Sequence, residues 1–123
     1  MEAHDDPRFQ KGIDEFNRGL FFECHETLEE IWLEEHGEDR KFYQGIIQIA
    51  AGYFKWEQKV PAGAIKLWHS GLEKIEPYGP VYLGLDVESF AAAVKENLNE
   101  LTAVHPQGEE IPTLNVPVLA RVS

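Results

Sequence analysis

From Leu20 to His36 the chain contains neither glycine nor proline, and Phe21, Leu28, Ile31 and Trp32 recur within it at helical spacing before Gly37 ends the run. A segment of that length and period reads as a helix. The punctuation around it then organises the rest of the chain. Upstream, Asp5 and Asp6 precede Pro7 as an acidic cap and a first-turn proline, and Phe9, Ile13 and Phe16 follow until Gly19, which predicts a short helix over residues 7 to 18. Downstream, Glu38 and Asp39 supply negative charge to a third N-terminus, and apolar residues continue from Phe42 through Trp56 in what should be the most buried helix. Lys59 to Pro61 is a break. Ile65, Leu67, Trp68, Leu72 and Ile75 mark a fourth helix, stopped by Pro77, Gly79 and Pro80. Asp86 caps a fifth, whose Phe90, Val94, Leu98 and Leu101 form one stripe before Pro106.

Short connections between the first four helices make sequential helices antiparallel neighbours, so the expected fold is all-α: a compact antiparallel bundle of about five helices with an extended C-terminal tail. Residues 1–105 form the bundle domain and residues 106–123 the tail. No segment alternates with period two over a useful length; Ile111 to Leu119 comes nearest, but Pro112 and Pro117 argue for extension without a sheet. Strands are not expected. With 123 residues there is no room for a second domain. A net charge of −11 removes the phosphate attraction behind most nucleic-acid binding, so nucleic acid is not an expected partner. The single cysteine rules out an intrachain disulfide and fits a reducing compartment. The N-terminus has no basic start or apolar run, and Gly45 to Phe54 is only half a membrane span, which points to a cytoplasmic protein with no membrane partner. Three Trp, seven Phe and four Tyr are more aromatic surface than such a bundle hides easily. The tail, with Leu114, Val116 and Leu119, should therefore cross the bundle or a second copy, the latter giving a homodimer.

Residues with chemical potential concentrate on the second helix. With about 100° per residue and His25 at zero, Trp32 lies at about −20°, Phe21 at about −40° and Phe22 at about +60°, which puts His25 mid-way across an apolar sector. Glu29 falls at about +40°, whereas Glu23, Glu26, Glu30 and Glu34 face the other way. An unpaired buried carboxylate costs several kcal/mol, so Glu29 needs a partner, and His25 is the nearest. The pair has three readings: an internal hydrogen-bonded pair that fixes packing, a polar ligand pocket with His25 as donor or base, or a metal site. Two ligands are too few for zinc, and a di-iron bundle repeats Glu-x-x-His on two helices, whereas Phe22 stands three residues before His25. No metal or other cofactor is expected.

On the third helix Lys41, Gln44, Gln48 and Lys55 share one side, either as a solvated strip or as groups facing His25 and Glu29 across the hairpin. Gly45 and Gly52 offer a smooth surface for a neighbouring helix. Arg40 is placed to pair with an acidic residue of the second helix. Cys24 falls on the core side, at about −100°, and reads as packing rather than as a nucleophile. No G-x-S-x-G, phosphate loop, dinucleotide fingerprint or C-x-x-C occurs.

Phe16-Asn17-Arg18-Gly19 followed by Phe21-Phe22-Glu23-Cys24-His25-Glu26-Thr27-Leu28-Glu29-Glu30-Ile31-Trp32 resembles the hallmark of the domain of unknown function 309 family. Phe42-Tyr43-Gln44-Gly45-Ile46-Ile47-Gln48-Ile49-Ala50, Gly63-Ala64 and Tyr82-Leu83-Gly84-Leu85-Asp86 resemble its remaining blocks. The resemblance spans about residues 9 to 101. It implies a small helical bundle, typically bacterial or archaeal, with no established activity. It carries over the positions His25, Glu26, Glu29, Trp32, Gln44, Gly45, Gln48, Gly63, Ala64, Gly84 and Asp86 without a role for any. Many members have histidine where this chain has Phe54 and Lys55, and a Gly-Asn turn where it has Lys59 and Val60, which weakens a metal site further.

Two functional readings follow. The first is a non-enzymatic module that binds an unknown small ligand or protein, with a polar pocket of His25, Glu26, Glu29, Trp32, Arg40, Gln44 and Gln48. The second is a small enzyme, of which a hydrolase is one form, using His25 as general base with Glu29.

Overall fold

Asp6 accepts a hydrogen bond from the Arg8 amide at 2.9 Å and so caps α1, Pro7–Asn17. A computed structural model of the chain describes residues 6–105 and 111–122; Asp5, Pro106 and Ser123 lie outside the described residues. Gly19, with φ +77°, takes the left-handed turn into α2, Phe21–Glu34. α3 covers Asp39–Glu57, starting three residues before its first core residue, with Asp39 accepting from the Tyr82 hydroxyl and Arg40 lying over Trp32. α4, Pro61–Ile75, likewise begins at the proline that the break contains, since proline suits a first helical position. One 3₁₀ turn, Glu76–Tyr78, follows. α5, Val87–Val104, is capped by Asp86, whose carboxylate accepts from the Ser89 amide at 3.0 Å.

Consecutive helices pack side by side and antiparallel. Gly12 of α1 meets Leu28 of α2 while Arg8 at the other end reaches Glu34. On the next pair Phe22 touches Phe54, with ring centroids 5.4 Å apart, and Arg40 lies over Trp32. Gly45 and Gly52 do give a smooth surface, and it is α4 that uses it. A Cβ on Gly45 would stand 3.0 Å from the Gly71 carbonyl oxygen, and one on Gly52 would stand 2.4 Å from Trp68 Cδ1. Nine residues of α3 are buried, including Tyr43, Ile49 and Tyr53, so α3 is the central helix. Tyr53 donates from its hydroxyl to Asn97 Oδ1 at 2.6 Å, which ties α5 to that core. Cys24 is fully buried, and burial pushes its thiol up to about 12.

The expectation of no strands is corrected. Val81–Tyr82 (β1) and Leu85–Asp86 (β2) form a small antiparallel hairpin around Leu83 and Gly84, both at positive φ, as a two-residue hairpin turn requires. Two-residue strands are too short to show a period. Leu85 also bridges to Arg121 of the tail. That tail runs extended over its own chain: Asn17 exchanges two hydrogen bonds with the Leu119 backbone, Trp56 donates to the Pro112 carbonyl, and Leu114 and Leu119 are buried.

Candidate functional site

α2 and α3 meet along a seam bracketed by Phe22 with Phe54 at one end and Trp32 with Arg40 at the other. His25 and Glu29 stand on α2 between these contacts. On α3, Gln44, Gln48 and Ala51 follow on the solvent side of the line from Arg40 to Phe54, by the same count of about 100° per residue. His25, Glu29, Trp32, Arg40, Gln44, Gln48, Ala51 and Phe54 are all half-buried. The outer edge of the seam, its mouth, is therefore only half-buried.

This corrects the expectation of an inward-pointing Glu29. The Glu29 side chain is 44% exposed and that of His25 is 32% exposed; the closest approach, His25 Nε2 to Glu29 Oε2, is 3.4 Å. That is a loose i,i+4 contact in partial solvent, long for a charge-assisted hydrogen bond. The physical reason is the direction of the buried sector. Phe21, Cys24, Leu28 and Ile31 are buried, so the core lies near −80° on the same count. Phe22 and Trp32, which drew the expected centre toward His25, are respectively exposed and half-buried.

Glu26 is also corrected: it is exposed on the outer side of α2 and does not join the mouth. Arg40 pairs with no carboxylate among the described residues. Its Nη1 donates to the carbonyl oxygens of Trp32 and Glu35, both at 3.0 Å, and its guanidinium lies 4.1 Å from the Trp32 ring centroid. Arg40 thus closes the C-terminal end of α2, where carbonyls lack helical partners. Phe22, Ala51 and Phe54 complete the seam and were not singled out as site residues. For Phe54 a signal existed, since it lies two heptads from Arg40 on the same side of α3.

Three buried polar atoms of these residues have no hydrogen-bond partner: His25 Nδ1, Trp32 Nε1 and Gln48 Oε1. Such atoms cost about 1–3 kcal/mol each when left unpaired; Glu15 Oε1, the Tyr43 hydroxyl and Trp68 Nε1 are likewise unpartnered elsewhere in the fold, and those of His25, Trp32 and Gln48 lie along the seam. Together they offer an indole donor, an amide acceptor and an imidazole nitrogen of either sense. Among the described residues no three His, Cys, Asp or Glu side chains converge as a metal would need. Among the described residues no helix is long and apolar enough to cross a membrane.

Residues 9–67 match the family described as a domain of unknown function, DUF309, a span that contains most of α1, all of α2 and α3 and the first turns of α4. The whole seam falls inside it. The uncharacterized protein YpuF of Bacillus subtilis (strain 168) is 35% identical over 57 residues, which are 46% of this chain and 33% of that relative. The chain spans about a third of the length of the curated relative it matches.

Proposed function

We propose, from the premise that this chain carries the domain of unknown function 309 over residues 9–67, that it is a non-enzymatic binding module and that the mouth of the α2–α3 seam takes a small polar ligand. The observation that carries the reading is the set of unpartnered atoms on His25, Trp32 and Gln48. Evolved cores rarely leave such groups unpaired, and a polar ligand seated along the seam supplies the acceptor that Trp32 lacks or the donor that Gln48 lacks. The His25 side chain is partly exposed beside them. The nearby thiol is no nucleophile for an enzyme, because Cys24 is buried and its thiolate strongly disfavoured.

A panel of small amides, carboxylates and imidazoles, screened by thermal shift, tests this. Ligands of the seam raise the melting temperature of the native chain and lose that effect in Gln48→Leu and His25→Leu. A panel without any stabiliser, or with hits that both variants retain in full, defeats the proposal.

A further inference from the structure

The outer side of α2 carries features that the small-ligand reading does not use. Phe22 is 48% exposed and Leu33 is 58% exposed. They lie eleven residues apart on nearly the same side, so about 16 Å separates them along the axis, three helical turns. Between and beside them Glu23, Glu26 and Glu30 are exposed and form no ion pair with a described residue. Glu57 of α3 adds to this charge at the Phe22 end: its carboxyl is held above the ordinary value by burial and by the charge of Glu23. Two nearby arginines are engaged elsewhere, and one lysine stem turns toward α4. Arg8 bonds to Asp6 and Glu34, Arg40 lies on Trp32, and the stem of Lys55 packs toward Gly63 of α4.

We infer that this face docks a basic amphipathic helix of a partner protein, with apolar residues on Phe22 and Leu33 and lysines or arginines over the intervening glutamates. The anchor spacing matches one side of a helix lying along α2. Charge selects the occupant: a second copy brings the same unpaired glutamates and a net charge of −11 against them, whereas a basic helix neutralises them. This goes beyond the small-ligand reading and does not depend on His25, Trp32 or Gln48.

The probe is a synthetic helical peptide with leucine on one face and lysine on the other, titrated into the full isotope-labelled chain and followed by amide NMR. Saturable shifts concentrated on residues 22–33 and around Phe54 are expected. The dissociation constant should weaken about tenfold in the double variant Phe22→Ser, Leu33→Ser and to a similar extent in Glu26→Lys, Glu30→Lys. Glu96→Lys with Glu100→Lys, on exposed positions of α5, should change it less than about threefold, and Gln48→Leu should leave it unchanged. If the double anchor variant unfolds, Leu33→Ser alone carries the comparison, since that side chain is the more exposed. Shifts spread evenly over the acidic surface, or binding indifferent to the anchors, overturn the inference. Concentration-dependent dimers in sedimentation that Leu33→Ser dissolves also overturn it, by giving the face to a second copy.

Discussion

α3 is gripped from two sides in opposite ways. Against α4 the contact is backbone-close: Gly45 and Gly71 face each other, Gly52 lies under Trp68, and any added methyl meets a neighbour at 3.0 Å or less. Against α2 the contact is made by larger side chains: Phe21 stacks on Tyr53 in the core, Phe22 meets Phe54 and Arg40 lies over Trp32 at the ends of the seam, and His25, Gln44 and Gln48 stay half-buried along its surface. The two hairpins have similarly short loops, so connectivity does not explain the difference. Side-chain size at the contact does. Glycine brings helix axes together and excludes everything else, whereas larger residues hold them apart and leave a mouth.

The comparison breaks most visibly at Gly71. Gly71→Ala would place a Cβ 2.8 Å from the Gly45 carbonyl oxygen and 2.6 Å from Ile49 Cγ1. Because one of those atoms is backbone, the helices must separate, and denaturant unfolding should show a loss on the order of 3 kcal/mol. On the other side of α3 the sign reverses. Gln48→Leu removes a buried acceptor without a donor, so the free chain should gain about 1 kcal/mol, while the seam loses its ligand. A loss of stability in that variant would show that Gln48 is fully satisfied within the fold.

Two smaller effects sharpen the contrast. Glu29→Ala should change stability by no more than about 0.5 kcal/mol, the worth of a solvated i,i+4 pair. A loss of several times that would restore the buried-pair reading. Glu57→Gln tests the crowded carboxylates at the seam's outer end. The folded state holds this carboxyl above its ordinary value, so its ionised form opposes folding: that contribution favours the fold below pH 4.5 and is lost as pH rises through the folded value. The variant should therefore be slightly the more stable at neutral pH, with the advantage fading as pH falls through the folded value and gone below pH 4.5. Melting curves across that range measure it, and a neutral-pH loss would contradict the repulsion from Glu23.

The helices were legible because their signals are local. Asp6 and Asp86 cap the helices they precede, Gly19 turns where it stands, and Phe90, Val94, Leu98 and Leu101 are buried in one stripe as their spacing requires. The candidate site is legible only in part. The spacing marks His25, Glu29, Trp32, Arg40, Gln44 and Gln48, of which the structure brings Arg40 onto Trp32 and His25 beside Glu29, at a depth shallower than expected because Phe22 is exposed and Trp32 only half-buried. An apolar side chain on a helix reports what the residue prefers, and which sector finds neighbours depends on where the other helices lie.

Local sequence was enough for the order and approximate extent of five helices, the caps at Asp6 and Asp86, and the glycines that permit one close contact, since each depends on residues within a few positions of one another. The tertiary structure alone decided that Gly45 and Gly52 serve α4 rather than α2, that Asn17 holds the backbone of Leu119 across 102 positions, and that His25 and Glu29 stand at a surface mouth. Those outcomes depend on which helix faces competed for the same core. A half-buried seam is what remains on α3 once α4 has taken the close approach, and no local pattern records that competition.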